Sequence, residues 1–127
     1  MEVSQKAFVF NSAGKILALR RSDTDPSRPL TWDLPGGQLE ERENLEESMR
    51  REIREEAGIE VEDLIVRGAY GSTNKRNEYW VMILYHAKVT DPVITLSYEH
   101  DQYEWLTKEE FIARESSDKI THFLSQL

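Results

Sequence analysis

The stretch Gly37–Ile59, GQLEERENLEESMRREIREEAGI, decides how this chain of 127 residues folds. From Asn44 onward it is rich in good helix formers, and an apolar residue recurs at every fourth position, at Met49, Ile53 and Ala57. Gly58 follows as a C-terminal stop, because glycine readily adopts the left-handed conformation that ends many helices. The pattern predicts an amphipathic helix over Asn44–Ala57 whose apolar stripe packs on the rest of the protein.

The same helix carries three glutamates on one face. Glu52, Glu55 and Glu56 are spaced i, i+3 and i+4, so their carboxylates lie within one turn and repel each other if nothing neutralises them. A solvated acidic face is the common reason for such a pattern in soluble proteins. The alternative is a site for a hard divalent cation, which needs several carboxylate oxygens in a small volume.

The spacing around those glutamates favours the metal site. Gly37 is followed after five residues by Glu43, and after seven more by the run REIREEAGI, Arg51–Ile59. By this complete motif the chain resembles the Nudix hydrolases, and the lead-in WDLPGG, Trp32–Gly37, is similar to the loop that precedes the motif in that family. The resemblance implies an α/β fold over residues 1–127 as one Nudix domain: an α/β/α sandwich with a mixed β-sheet flanked by helices.

The resemblance also implies roles for the residues of the motif. Four metal ligands follow from it, the carboxylates of Glu52, Glu55 and Glu56 and the carbonyl of Gly36. Arg51 and Glu43 would brace these carboxylates by ion pairing, which keeps crowded carboxylates ionised. The motif residues with catalytic roles would be Arg51, Glu52 and Glu55, whereas Gly37 and Gly58 are structural positions. Ligands that are all oxygen favour Mg²⁺, with Mn²⁺ able to replace it.

A further glutamate lies outside the motif. In MutT-like members of the family a glutamate six residues before a tryptophan completes the metal site or acts as a base, and Glu99 stands in that relation to Trp105. A solvated loop carboxylate is an equally simple explanation, since acidic residues usually lie in loops. The general base is left open between Glu52, which we favour as ligand or base, and Glu99 or Glu104.

Three residues are candidates for contacting the substrate. Arg21, at the end of the second predicted strand, resembles a phosphate-binding arginine of the MutT-like members, although a surface charge at a strand end is equally ordinary. Trp32 and Tyr79 have polar neighbours that suggest alternation, so each either stacks on a nucleobase or packs in the core. Trp80 lies in an apolar strand and is predicted to belong to the core.

Strands and shorter helices are predicted around the main helix. Asn11–Gly14 is a turn-like tetrapeptide that joins two strands into a hairpin, and Pro35-Gly36-Gly37 is predicted to be a break. The extended segments are Lys6–Phe10, Lys15–Arg21, Leu30–Leu34, Leu64–Tyr70, Glu78–Val89 and Tyr103–Leu106, and the further helices are Lys108–Ala113 and Ser117–Leu127. Such elements fit a mixed sheet with helices packed on it.

Composition and charge exclude several classes of function. The chain has no cysteine, so disulfides, thiolate metal sites and cysteine nucleophiles are excluded. A net charge of −8 repels a nucleic-acid backbone, whereas a small phosphate compound can still bind through a cation. Residues 1–10 lack the features of a signal peptide and no apolar run has membrane-spanning length, so we expect a cytoplasmic protein without a membrane partner. Family members are often dimers, and the sequence leaves open whether this chain forms a homodimer.

The motif indicates a hydrolase without naming its substrate. By its size the chain resembles compact nucleoside triphosphate pyrophosphohydrolases, which favours cleavage of a (d)NTP, oxidised or not, to (d)NMP and pyrophosphate. Hydrolysis of ADP-ribose, nucleotide sugars or dinucleoside polyphosphates is the alternative. The sequence markers of those groups, and of members that act on oxidised dGTP, are missing after Ile59. A nucleotide-sensing module without activity is disfavoured, because such modules typically lose glutamates that are intact here.

Overall fold

A computed structural model of the chain describes residues 1–40 and 42–127. Within these two ranges the elements follow in the order β1 (Glu2–Phe10), β2 (Ile16–Arg21), β3 (Trp32–Asp33), β4 (Gly36–Gln38), α1 (Leu45–Ala57), β5 (Glu62–Thr73), β6 (Tyr79–Lys88), β7 (His100–Leu106), α2 (Lys108–Ile112) and α3 (Asp118–Ser125). None of the helices in these ranges is long and apolar enough to cross a membrane.

The strands form one mixed sheet with the order β3-β2-β1-β6-β5. β1 pairs in parallel with β6 from Glu2 and Trp80 to Phe10 and Lys88, and β6 pairs antiparallel with β5. The opposite edge of β1 pairs with two strands. β4 pairs with residues 4–6, and β2 pairs with β1 at Phe10. β2 pairs antiparallel with both β3 and β7. A parallel pair among antiparallel ones confirms the predicted mixed sheet.

Helix α1 begins and ends where the sequence predicts. The Asn44 side chain accepts hydrogen bonds from the backbone N–H groups of Glu46 and Glu47, which have no partner inside the helix. Gly58 ends the helix with φ of 69°, a left-handed conformation that costs glycine little. An N-terminal cap of this kind stabilises a helix by about 1 kcal/mol. The two ends of α1 are therefore defined by the residues that flank it.

Side chains that alternate along the strands fill two cores, one on each face of the sheet. Ala7 and Val9 of β1 pack with Met49, Ile53 and Ala57 of α1. Phe8, which points to the opposite face, packs with residues of α2 and α3, among them Phe111, Ile120 and Phe123. The period of two in the strands and of nearly four in α1 thus produces helix, sheet and helix layers. This arrangement confirms the α/β/α sandwich.

Two predictions about strands are wrong. Pro35-Gly36-Gly37 does not simply break the chain, because Gly36 and Gly37 belong to β4 and pair with Lys6 and Gln5. Gly36 has φ of 148°, and a Cβ atom there would lie 2.0 Å from the Gln5 carbonyl oxygen, so only glycine fits this approach. In addition, β1 and β5 are longer than predicted, since their pairing with β6 continues through polar residues that show no apolar pattern.

Candidate active site

A cavity of about 350 Å³ opens where β1, β4 and the start of α3 meet. Charged groups dominate its lining, namely Glu2, Lys6, Arg21, Arg28, Asp33, Glu99 and Lys119. Gly36 and Gly37 of β4 form the part of the lining that faces α1. A charged cavity bounded by glycine backbone suits a small anionic ligand, because both side chains and main chain are accessible to it.

Two of the predicted metal ligands of α1 lie against the β4 glycines. The Gly36 N–H donates to the carboxylate of Glu56 at 3.3 Å, and Glu56 is only 4% exposed. The Glu52 carboxylate is packed on Gly37, where a Cβ atom would lie 3.2 Å from Glu52 Oε1. The small size of glycine therefore lets the carboxylates of α1 reach the edge of the cavity. The structure thus brings Gly36, Gly37, Glu52 and Glu56 together.

The buried Glu56 carboxyl group has too little positive charge nearby to stabilise its ionised form. Burial raises the pKa of Glu56 well above its ordinary value, because a buried carboxylate loses its hydration. Lys6 opposes this effect, whereas the nearby carboxylates of Glu52 and Asp33 raise the pKa further. Either a proton or a bound cation can relieve this repulsion. The donors present are carboxylate and carbonyl oxygens, and they fit a hard divalent cation such as Mg²⁺.

Arg51 holds the remaining motif carboxylates in a network of ion pairs. Its guanidinium donates to both oxygens of Glu43, at 2.9 and 2.8 Å, and to Glu55 at 3.1 Å. The same guanidinium lies 3.5 Å from Glu52 Oε1. The hydrogen bonds from Arg51 lower the pKa of Glu43, which keeps that carboxylate ionised. Arg51 is thus positioned to orient Glu52 from one side.

Glu55 is paired with Arg51 and does not lie against the β4 glycines as Glu52 and Glu56 do. Its side chain is 58% exposed. Among residues 1–40 and 42–127, no three side chains of the metal-binding types converge closely enough to hold an ion as they stand. The assignment of Glu55 as a ligand therefore stays a prediction that requires its side chain to rotate.

Lys6 and Asp33 belong to the site, although sequence reasoning gave neither a role. The Lys6 ammonium donates to Asp33 Oδ2 at 3.0 Å and to the Leu34 carbonyl at 3.2 Å. Burial alone would raise the pKa of Asp33, but the charges of Lys6 and Arg21 hold it below its ordinary value. The feature of the sequence that points to Lys6 is the alternation in β1, where Ser4, Lys6 and Phe8 share one face of the strand.

Arg21 lines the cavity as the phosphate-binding prediction requires, but its charge is already paired. Its guanidinium donates to Asp33 Oδ2 at 2.6 Å and to Asp25 Oδ2 at 2.9 Å. A guanidinium with two carboxylate partners has less capacity left for a phosphate group. Contact of Arg21 with the substrate therefore stays a prediction, and in this structure Arg21 neutralises Asp33.

Glu99 lines the same cavity as Gly36, in the loop before β7. Its side chain is exposed, and its carbonyl accepts a hydrogen bond from the Ser22 N–H at 3.0 Å. Glu104, the other candidate base outside the motif, lies on β7 and is paired with Arg114. Only Glu99 of these two is brought to the cavity, while its catalytic role stays a prediction.

Trp32 and Tyr79, which were candidates for stacking on a nucleobase, lie away from the charged cavity. Trp32 is 8% exposed in the core, and Tyr79 lies over Gly71, so neither lines the charged cavity. Trp80 instead lines a neighbouring cavity of about 450 Å³ together with Tyr70, His122 and Phe123. The Lys119 ammonium lies 4.2 Å from the centre of the Trp80 ring. Trp80 is therefore only partly a core residue, and it borders space that a ligand can enter.

The sequence and the fold are similar to those of known proteins. The family model described as the NUDIX domain matches residues 2–124. A MutT-like protein of Streptomyces ambofaciens is 36% identical over 112 residues, which cover 88% of this chain and 68% of that protein. Nucleoside triphosphatase NudI of Escherichia coli is 27% identical over 109 residues, which cover 78% of this chain and 77% of the relative. The crystal structure of a MutT protein from Methanosarcina mazei Go1 superposes with a TM-score of 0.85 at 29% identity, over 98% of this chain and 91% of that chain.

Proposed function

Because this chain belongs to the Nudix family and is a MutT-like Nudix hydrolase, an enzyme that cleaves pyrophosphate bonds, we propose that it converts a (d)NTP to (d)NMP and pyrophosphate. The (d)NTP carries either an unmodified or an oxidised base. The observation that carries the proposal is the carboxylate pair of Glu52 and Glu56 beside a cavity lined by cations. The name of the relative NudI, a nucleoside triphosphatase, supports a triphosphate as substrate.

The divalent metal that the family uses is proposed to be Mg²⁺, with Mn²⁺ as a substitute. Glu52, Glu56 and the Gly36 carbonyl would hold it, and Glu55 would join them by leaving Arg51. When bound, the ion supplies positive charge for phosphate oxygens and lowers the pKa of water. Glu56 then needs no proton to remain buried, because its charge is neutralised by the cation.

The reaction is a substitution at phosphorus in which this chain positions groups and moves one proton. A water oxygen forms a bond to the α-phosphorus, and the bond from that phosphorus to the bridging oxygen breaks, which releases pyrophosphate. A carboxylate accepts the proton of the water. We propose Glu52 for this role, with Glu99 as the second candidate, since both carboxylates lie at or beside the cavity. Arg51, held by Glu43, keeps Glu52 oriented.

The substrate is placed by groups outside the motif. Lys6 and Arg21 already neutralise Asp33, which leaves Arg28 and Lys119 as the cavity cations available to a phosphate group of the substrate. The apolar cavity beside Trp80 is the proposed place for the nucleobase, since aromatic rings stack on bases of every kind. Trp80 takes the role that the sequence suggested for Trp32 and Tyr79.

The experiment is a turnover assay with Mg²⁺ on a panel of unmodified and oxidised dNTPs, ADP-ribose, nucleotide sugars and dinucleoside polyphosphates, with products identified by mass. Glu52→Gln is the test variant. Glu47→Gln is its control, because Glu47 is an exposed residue of the same helix. We expect release of (d)NMP and pyrophosphate that Glu52→Gln reduces by at least about 100-fold while the control keeps its activity.

Other outcomes would redirect the proposal. Preferred cleavage of ADP-ribose, a nucleotide sugar or a dinucleoside polyphosphate would replace the (d)NTP by that compound. Saturable binding of a nucleotide without turnover of any compound would contradict the proposed hydrolysis. Equal activity of Glu52→Gln and wild type would remove Glu52 from the mechanism.

A further inference from the structure

We propose that Arg28, Lys75, Arg76 and Lys119 form a second anion subsite, which binds a phosphate group that the nucleotide carries in addition to its 5′-phosphate chain. We name these four residues the distal cation cluster. The inference rests on the proposed function, because it specifies the substrate as a nucleotide with a further phosphate group away from the scissile bond.

The cavity lined by the distal cation cluster shares residues with the two cavities of the proposed active site. This cavity, of about 540 Å³, is bounded by all four cations and by Trp80. Arg28 and Lys119 also line the charged cavity next to β4, and Trp80 and Lys119 line the apolar cavity. The cluster therefore lies beside both the charged cavity and the Trp80 ring, where the nucleotide is proposed to bind.

No member of the cluster forms a close ion pair in the part of the chain that the structure describes. Within residues 1–40 and 42–127, the ion pairs with N–O distances up to 4.0 Å involve Lys6, Arg20, Arg21, Arg50, Arg51, Arg54 and Arg114. The acids on the same lining are Glu78 and Asp118. Four cations against two carboxylates, in a chain with a net charge of −8, create a local positive field.

Arg28 and Lys119 line the same two cavities, so both charges face the same space. Burial lowers the pKa of Lys119; Glu2 opposes this effect, and the charge of Arg28 lowers the pKa further. Lys119 also lies on the face of Trp80, which holds its ammonium group over the cavity. An anion bound between Lys119 and Arg28 would remove the repulsion that the unliganded protein carries.

Lys75 and Arg76 are presented by a turn of defined shape. The Asn74 side chain accepts hydrogen bonds from the backbone N–H groups of Arg76 and Glu78, at 2.9 and 3.0 Å. Asn74 also donates to the Glu78 carboxylate at 3.1 Å, so this acid is engaged inside the turn. The two cations at the tip of the β5–β6 hairpin are consequently held beside the cavity, and a phosphate group can meet them without large ordering of the loop.

The test compares ligands that differ only in the additional phosphate. Calorimetric titration with AMP and adenosine 3′,5′-bisphosphate, and with the two corresponding guanosine compounds, gives the ratio of affinities for each nucleoside in the presence of Mg²⁺. For at least one nucleoside we expect the bisphosphate to bind about tenfold more tightly, as is typical when charge-assisted hydrogen bonds are added. The double variant Lys75→Ala/Arg76→Ala should bring this ratio close to one.

The matched control is Lys15→Ala/Lys88→Ala. It changes the net charge by the same amount, but Lys15 lies in the turn after β1 and Lys88 at the opposite end of β6 from the cluster. The control should keep the ratio of wild type, and thermal unfolding should show that both double variants fold. Since all four residues replaced are exposed side chains, no loss of fold is expected.

The inference is overturned if wild type shows no preference for either bisphosphate, whether the compounds bind equally or not at all. It is also overturned if the control lowers the ratio as much as Lys75→Ala/Arg76→Ala, because the effect would then reflect net charge alone. Failure of the proposed function has a different signature. In that case no compound is turned over with Mg²⁺, whereas the affinity ratio can still be measured.

Discussion

Asp33 and Glu56 are both almost fully buried beside the same cavity, yet their pKa values are shifted in opposite directions. Asp33 receives hydrogen bonds from Lys6 and Arg21, and their charges outweigh the cost of its burial. Glu56 has the Gly36 N–H as a donor and the carboxylate of Glu52 as a neighbour, so burial and repulsion act together. The difference teaches that one carboxylate is neutralised by the protein itself, while the other requires a proton or a cation.

The two carboxylates mark two sides of the site. We call the side that holds Glu52, Glu55 and Glu56 the α1 side, and the side that holds Lys6, Arg21 and Asp33 the β1–β3 side. β4 lies between them, since Gly36 pairs with Lys6 and donates to Glu56. Substitutions on one side, or where the two sides meet, should therefore change activity or stability to different extents.

Replacement of Glu56 on the α1 side should have the largest effect. Glu56→Gln keeps the size of the side chain and removes the charge that the cation would bind, so we expect a loss in kcat of about 1000-fold. The same variant should lose the stabilisation that Mg²⁺ gives to wild type, which thermal unfolding with and without the ion measures. If Glu56→Gln retained full Mg²⁺-dependent activity, the two sides would not differ in the way proposed.

Replacement of Gly36, where the two sides meet, should follow in magnitude. Gly36→Ala places a Cβ atom 2.0 Å from the Gln5 carbonyl oxygen, so β4 must shift or separate from β1. We expect a loss of about 3 kcal/mol in the free energy of unfolding, from strain and overpacking together. Gly14→Ala is the control, because Gly14 also has a positive φ but no atom within 4 Å of a Cβ. Its expected cost is about 1 kcal/mol, and equal losses in urea unfolding would contradict the argument.

Removal of the Glu43 carboxylate should weaken the α1 side more gently. Glu43→Gln breaks the bidentate pair with Arg51, so Arg51 no longer keeps Glu52 in one orientation. We expect the Mg²⁺ concentration for half-maximal activity to rise by about tenfold, as is usual for groups that orient metal ligands. Glu60→Gln serves as the control, since Glu60 is exposed and pairs with the exposed Arg54. An unchanged requirement for Mg²⁺ would assign Glu43 a purely structural role.

The smallest effect is a dependence of stability on pH that comes from Asp33. Its pKa in the folded protein is lowered, so the unfolded chain binds a proton first as the pH falls. The stabilisation from Asp33 is therefore complete above its ordinary pKa of 3.8 and is lost at lower pH. The difference in free energy of unfolding between wild type and Asp33→Asn should narrow from about pH 5 to about pH 3. A difference that widens over this range would show that the pKa of Asp33 is raised.

The sequence predicted the α1 side better than the β1–β3 side. Asn44, Glu52, Glu56 and Gly58 are placed by the geometry of one helix, where positions three or four residues apart share a face. Lys6 and Asp33 are 27 residues apart, and their contact depends on where β1 and β3 lie in the sheet. Alternation in β1 indicates which face of the strand Lys6 occupies, but its contact with Asp33 is not visible in a local pattern.

The misplaced aromatic residues have a similar cause. Trp32 and Trp80 both lie in predicted strands, and the neighbours of a residue along a strand do not reveal which face a helix will cover. The packing of α2 and α3 buries Trp32 in the core, while Trp80 keeps one side open beside Lys119. The packing of the two C-terminal helices thus determines that Trp32 lies in the core and that Trp80 borders space open to a ligand.

By itself the sequence determined the helix α1, its C-terminal stop, the spacing of its carboxylates and, through the motif, the family and its chemistry. These features are local, because hydrogen bonds and side-chain positions within a helix repeat over three or four residues. Only the tertiary structure decided that Gly36 and Gly37 form a strand, that Asp33 is neutralised by Lys6 and Arg21, that Glu55 turns to Arg51, and that four cations from β5–β6, α3 and the loop after β2 surround one cavity. Those features join residues far apart in the chain, and their contacts exist only once the sheet and its two helical layers have formed.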